Sequence, residues 1–287
     1  MNPYEINGPT VISFSGGRTS GYMLASIIAA NGGLPDNAAV VFTNTGKEFP
    51  ETLDFVRDVQ GFYGVPIHWA EYRQPTERGG VRHVEVNYES ASRKGEPFAA
   101  LIEAKNFLPN PVMRFCTTEL KVKTMRDFVE RDLGWSTWTN CIGLRADEMN
   151  RVNTMQKRNG DPLNRDPWRS SAPLAAAGVT KADVLAFWKG QPFDLQLRPH
   201  ESNCDLCFLK GAGTASAIIR ERPYMAQWWV DQEARTVRGR DAAQDDSLFR
   251  HDRPSYAALT EGVKNQAAFN FGVFDDMTTC DTNACTD

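Results

Sequence analysis

The first third of the chain alternates short apolar runs with longer segments of helical period. Residues 10–14 (TVISF), 39–43 and 65–72 are apolar runs rich in β-branched and aromatic residues, which predict buried strands. Between them, residues 21–30 and 50–63 carry apolar positions at helical spacing, and Ser15-Gly16-Gly17 separates the first strand from the first helix. The order strand, loop, helix, strand, helix, strand predicts an α/β fold with a doubly wound, mainly parallel sheet. Residues 73–111 are polar apart from an apolar patch at 98–102, and they read as an insertion or lid. Beyond them the pattern predicts a helix over 118–132, a strand over 135–144 and a helix over 180–189, with Thr180 as its cap and Asp183 at its third position. Residues 204–213 form a tight, glycine-ended loop, and helical period resumes over 214–230 with Pro223 as an interruption. The expected organisation is a main domain over 8–230 and a helical C-terminal extension over 231–287, whose Asp- and Thr-rich end frays.

Composition narrows the class. The chain has 287 residues, 41% of them hydrophobic, which suffices for a full core. A net charge of −4 argues against an extended footprint on a polyanion. No apolar run approaches the roughly 18 residues of a membrane span. The first residues lack the basic and apolar regions of a signal peptide. No membrane partner is therefore expected, and the cytoplasm is the expected compartment. In that reducing setting Cys116, Cys141, Cys204, Cys207, Cys280 and Cys285 read as ligands or reactive thiols rather than disulfides.

Three groups of residues carry candidate chemistry. Ser15, Gly16, Gly17, Arg18, Thr19 and Ser20 lie between a strand and a helix. Glycines let the backbone approach an anion, and the helix offers unpaired N–H groups and the positive end of its dipole. The hydroxyls add donors and Arg18 adds charge. Arg145 and Arg151 flank Glu148 after a predicted strand, and their donor forks suit phosphate or sulfate; Lys121 is a further cation. Cys204 and Cys207 have the spacing to chelate one metal centre from a single turn, with iron–sulfur and zinc as the alternatives. The bland alternative, buried free thiols, applies to each cysteine.

The ordered set of segments resembles a known family. SGG-x-T-S at 15–20 is similar to the pyrophosphate loop of the adenine-nucleotide α-hydrolase fold, a Rossmann-like sheet shared by PP-loop ATP pyrophosphatases and the phosphoadenylylsulfate (PAPS) reductase family. Thr45-Gly46-Lys47-Glu48-Phe49-Pro50-Glu51-Thr52 is similar to the T-G-x-x-F-P-E-T of the reductases. Arg114-Phe115-Cys116 with Lys121 resembles R-x-C-C…K, and Gly143-Leu144-Arg145 with Glu148 and Arg151 resembles G-x-R-x-x-[EQ]…R. Cys204-Asp205-Leu206-Cys207 falls where that family has C-x-x-C.

The resemblance implies nucleotide contacts at Thr43, Asn44, Thr45, Gly46 and Gly143, with Asn44 standing where the family usually has an acidic residue. It implies catalytic roles for Lys121, Arg145 and Arg151. It also implies a 4Fe–4S cluster on Cys116, Cys204 and Cys207. Phe115 replaces one of the paired cysteines, so the fourth position falls to Cys141 or stays open. The reductases' mobile E-C-G-x-H segment is absent around Cys280 and Cys285.

Three functions fit these residues. The first is ATP-dependent sulfur transfer, with Mg2+ as a companion of ATP, a sulfur donor, and a nucleic acid or small molecule as acceptor. The second is a PAPS or adenylylsulfate reductase that takes electrons from a thiol reductant and releases sulfite. The third is a nucleotide- and cluster-binding regulator without turnover. Residues 73–111 and 231–287 are open to service as a lid, a partner surface or a homodimer contact.

Overall fold

The structure, a computed structural model, describes residues 2–202, 204–238 and 248–265. Strands β1 (Thr10–Ser13), β2 (Ala38–Asn44), β3 (Ile67–Tyr72), β4 (His83–Val86), β5 (Trp138–Cys141) and β6 (Trp168–Ser171) form one sheet in the order β4-β3-β2-β1-β5-β6. Neighbours pair in parallel except β4, which is antiparallel to β3. The sheet grows from β1 toward β2 on one side and continues with β5 on the other. That reversal opens a crevice at the carboxyl ends of β1 and β5.

The helices are α1 (Arg18–Asn31), α2 (Pro50–Tyr63), α3 (Glu96–Lys105), α4 (Thr124–Arg131), α5 (Met149–Gly160), α6 (Pro173–Ala176), α7 (Lys181–Lys189), α8 (Ala212–Glu221), α9 (Ala226–Arg238) and α10 (Tyr256–Asn265). Strand alternation sorts the core into two layers. Ile12, Val40 and Phe42 pack with Met23, Phe55 and Trp188 of α1, α2 and α7. Val11 and Val41 point the other way and pack with Met125, Phe128 and Val129 of α4. A strand covered on both faces reads as an unbroken apolar run, which is why β1 and β2 were legible.

Several expected boundaries shift for local reasons. α1 begins at Arg18 rather than at Gly21. Gly21 does not break the helix; a Cβ there would lie 2.6 Å from Trp188 Cζ2, so the glycine permits close packing of α7. The helix expected over 118–132 starts as a π-helix, Thr117–Lys123, before continuing as α4. The strand expected over 135–144 shortens to β5. Part of the stretch read as an insertion belongs to the sheet, as β4, and another part is α3. Pro223 does interrupt the later helix, at a 3-10 turn between α8 and α9.

Charged side chains tie β4 and α3 to the π-helix and α4. Glu119 accepts from Lys123 at 3.0 Å and Lys105 at 3.2 Å, and also from Arg82. Asp127 accepts the Arg82 N–H at 2.7 Å and Arg131 Nε at 2.8 Å, with His83 Nδ1 at 2.8 Å. Burial works against ionisation of both carboxyls, yet these donors hold both below the usual carboxylate range.

The C-terminal helices pack onto the main body. The Trp229 ring lies 4.9 Å from Phe249 and 5.2 Å from Tyr256, in a buried aromatic cluster. Cys280 and Cys285 lie outside the described residues. Among the described residues no helix is long and apolar enough to cross a membrane.

Candidate active site

β1 carries the chain to the carboxyl edge of the sheet, and the loop that follows is shaped before any ligand arrives. Gly16 adopts φ +76°, and a Cβ there would meet Thr52 Cγ2 at 2.7 Å, so both conformation and packing require glycine. The Ser15 N–H donates to Ser20 Oγ at 3.2 Å, and the two hydroxyls are 3.0 Å apart. Ser20 Oγ donates to the Gly17 carbonyl at 3.0 Å. Gly17 caps α1 without a side-chain bond, so no cap side chain covers the N–H groups of the first helical turn.

The charge beside this loop comes from a different residue than expected. Arg18 turns its guanidinium to Asp194, with bonds of 2.7 and 2.9 Å, and also donates to the Leu195 carbonyl. It braces the segment after α7 rather than adding a cation to the loop. Arg145 fills that place: its buried Nη1 donates to Thr19 Oγ1 at 3.1 Å. Arg145 Nε pairs with Asp147 at 3.0 Å, and Glu148 lies 3.3 Å from the same Nη1 that meets Thr19. Glu148 also pairs with Arg151. Gly143 is buried in the turn between β5 and Arg145.

The segment after β2 divides. Thr43 lines a cavity beside Ser15. Asn44, expected to contact nucleotide, is fully buried: Nδ2 donates to Glu71 Oε1 at 2.6 Å and to the Ser92 carbonyl at 2.9 Å, while Oδ1 accepts the Gly46 N–H at 3.0 Å. Those bonds consume the amide in shaping the loop. Thr45 gives its N–H and hydroxyl to Glu48 at 2.9 Å. Burial pushes the Glu48 carboxyl up, against the opposing pull of Lys121. Gly46, at φ +76°, brings its backbone against Gly95, where a Cβ would stand 3.0 Å from Gly95 Cα.

The cavity beside the loop measures about 280 Å³ and is lined by Ser13, Ser15, Thr43, Lys121, Asn140 and Arg158 among others. Ser13 Oγ donates to Asn140 Oδ1 at 2.8 Å across β1 and β5. A second cavity of about 700 Å³ shares Thr118, Ile142, Arg158 and Ser170 with the first, so the two form one cleft; Arg151 lines its outer part. Sequence reasoning missed Asn140 and Ser170. Their signal was present as polar residues toward the carboxyl ends of their strands.

Lys121 faces the inner cavity and also acts on the thiols. Burial raises the pKa of Cys116 and, more strongly, of Cys204; Lys121 pulls both down, while Glu48 and Cys207 push Cys204 further up. Cys116 and Cys204 both feel the Lys121 charge, and Cys204 also feels Cys207. Cys141 does not join them. It sits in β5 among core side chains, and burial alone pushes its thiol up to about 12.

Among the described residues no group of three or more His, Cys, Asp and Glu side chains is placed to hold a metal ion. The thiol chemistry suits an iron–sulfur cluster, but the spacing as it stands does not form its ligand set. The C-x-x-C loop is instead braced from all sides. Lys47 Nζ lies 2.7 Å from Asp205 Oδ2 with both side chains buried, and Trp229 Nε1 donates to Asp205 Oδ1 at 2.9 Å. Lys210 Nζ donates to Ser202 Oγ and the Cys204 carbonyl, each at 2.6 Å, and the Tyr256 hydroxyl donates to the Leu206 carbonyl.

Comparison with known proteins identifies the family. An uncharacterized nin-region protein of Escherichia phage lambda is 32% identical over 204 residues, covering 70% of this chain and 66% of that protein. An uncharacterized protein of Methanocaldococcus jannaschii is 34% identical over 106 residues, covering 36% of this chain and 22% of that protein. The chain thus spans just under two thirds of the first relative and about a fifth of the second. Among solved structures, PAPS reductase from Candida auris in a phosphate complex is 18% identical with a TM-score of 0.38, covering 64% of this chain and 72% of that one. The U34-tRNA thiolase NcsA from Methanococcus maripaludis, with its 4Fe–4S cluster, is 12% identical with a TM-score of 0.41, covering 97% and 82%. Residues 9–156, more than half of the chain and the part that holds the loop, Lys121, Arg145 and Arg151, match the phosphoadenosine phosphosulfate reductase domain, and the chain belongs to that family.

Proposed function

We propose that this chain binds ATP with its phosphates on the Ser15–Ser20 loop and uses it to activate an acceptor for sulfur transfer. The observation that carries the reading is the loop itself. It is preshaped by the Ser15–Ser20 bonds, uncapped at α1, and open to a cavity that also holds Lys121 and Thr43. In the first step an acceptor oxygen attacks the α-phosphorus of ATP; the new P–O bond forms and pyrophosphate leaves with its charge. A sulfur nucleophile then attacks the carbon bearing that oxygen, the C–S bond forms, and AMP departs with the C–O electron pair. The N–H groups of the first α1 turn and the hydroxyls of Ser15 and Thr19 suit the departing pyrophosphate, with buried Ser20 holding the loop in shape. Arg145 orients Thr19, and Lys121 supplies positive charge inside the cavity.

A finer reading assigns Cys116, Cys204 and Cys207 to a cluster, favoured by the shared influence of Lys121 on Cys116 and Cys204 and by the influence of Cys207 on Cys204. Loading would have to draw the thiols together and deprotonate them, and no step above depends on it. The test is calorimetry with ATP, adenylylsulfate and PAPS on protein purified without oxygen, with iron, sulfide, AMP and sulfite measured on the same preparation. ATP binding with acceptor-dependent AMP release is the expected result. Sulfite release from a sulfonucleotide without ATP would replace this function with the reductase.

A further inference from the structure

The outer cavity has a chemistry of its own. Phe107 and Phe115 meet edge to face in its wall, with ring centroids 4.8 Å apart at 69°. Beside them Val112 is 90% and Met113 51% exposed, an unusual display of apolar surface on one short segment. Arg114, Arg151 and Arg158 line the same space. Arg151 is held by Glu148, and Arg158 by Asp166 at 2.7 Å, so both forks are oriented from behind. Thr117, Thr118, Thr154 and Ser170 add hydroxyls, and no carboxylate lines the cavity among the described residues.

This combination selects a ligand class. A lipid chain calls for an uninterrupted apolar wall, which the hydroxyls and guanidiniums break. An amine is disfavoured by three guanidinium groups. Flat apolar faces suit an aromatic ring, and the arginines suit a phosphate. The cavity's volume of about 700 Å³ accommodates a ring with its attached groups, and its shared wall with the inner cavity puts such a ligand next to the Ser15 loop.

We infer that the outer cavity binds a nucleotide unit, its base against Phe107, Met113 and Phe115 and its phosphate toward Arg114, Arg151 and Arg158. Such a unit comes from a free nucleotide or from a nucleic-acid strand. Its role as the acceptor rests on the function proposed above; its binding does not.

The experiment uses the full chain with the inner site first filled by a non-hydrolysable ATP analogue, followed by calorimetry. Two probes follow: uridine monophosphate by calorimetry, and a fluorescent single-stranded 12-nucleotide RNA by anisotropy. At least one probe binds beside the analogue. Val112→Asp with Met113→Asp, both at exposed positions, weakens it about tenfold or more while analogue affinity is unchanged. Phe115→Ala has a similar effect through loss of the ring. Binding of uridine monophosphate alone identifies a free nucleotide as source, and binding of RNA alone identifies a strand. Analogue binding with neither probe bound overturns the inference, as does probe binding indifferent to all these substitutions. Probe binding without analogue binding leaves this subsite standing and removes the ATP function instead.

Discussion

Two loops of this molecule, Ser15–Ser20 and the C-x-x-C loop, are rich in groups that sequence reasoning associates with ligands, yet their polar atoms meet opposite fates. At the first, internal bonds fix the shape while the start of α1 stays uncapped beside a cavity. At the second, Lys47 and Asp205 close on each other, Lys210 closes on the loop carbonyl, and Trp229 and Tyr256 cover the rest. A lysine inside a segment that resembles a family motif can therefore be a structural brace. What separates a site from a brace is whether the polar atoms face open volume or each other.

The largest effect that would break this comparison lies at the buried pair. Lys47→Met leaves Asp205 charged and buried, which is expected to destabilise the fold by about 3–5 kcal/mol in denaturant unfolding. Lys47→Met combined with Asp205→Asn, which removes the stranded charge and keeps an acceptor for Trp229, should recover much of that loss. A single variant as stable as the wild type would mean that the pair is not a brace.

The converse holds at the phosphate loop. Ser15→Ala with Ser20→Ala removes two hydroxyls at about 1 kcal/mol each and with them the bonds that preshape the loop, so ATP affinity should fall by about tenfold or more by calorimetry, with a modest loss of thermal stability because Ser20 is buried. Unchanged affinity would remove the loop from the site.

The smallest effect sharpens the contrast at the edge of the sheet. Asp127 has its folded pKa depressed, so its stabilisation is complete above its unfolded value of about 4 and fades as pH falls through the folded value. Asp127→Asn should therefore be less stable than the wild type near neutral pH, by about 1 kcal/mol, with the gap closing toward pH ~3 in thermal scans. A constant gap across that range would assign the loss to packing.

Much of the fold was legible because local and global signals agreed. Residues 50–63 form the helix α2 with the bounds that Pro50 at its start and Gly64 at its end indicate. α5 escaped notice because Val152 is its buried residue and no apolar stripe marks it. β4 escaped because an antiparallel edge strand with two exposed positions lacks the apolar run of its neighbours. In the site, the partners of Arg18 and Asn44 could not be read from their own segments because Asp194 and Glu71, which hold them, are distant in sequence. Cys141 was offered as a fourth ligand for its place near the end of a central strand, and there it packs among core side chains, as buried free cysteines commonly do.

The π-helix at Thr117–Lys123 gives the chain a length-sensitive joint. A turn wound with an extra residue can be restored to an α-helix by removing one; the flanking turns keep their mutual orientation, and only the residues inside the segment change the way they face. Thr118 and Lys121 lie within that segment and Cys116 just before it, whereas Met125 and Phe128 anchor α4 beyond it. A relative one residue shorter here can keep the sheet and the buried layer intact while turning its cleft residues to other partners. Along this stretch, insertions and deletions rather than substitutions are the coarse dial by which such a scaffold changes its chemistry.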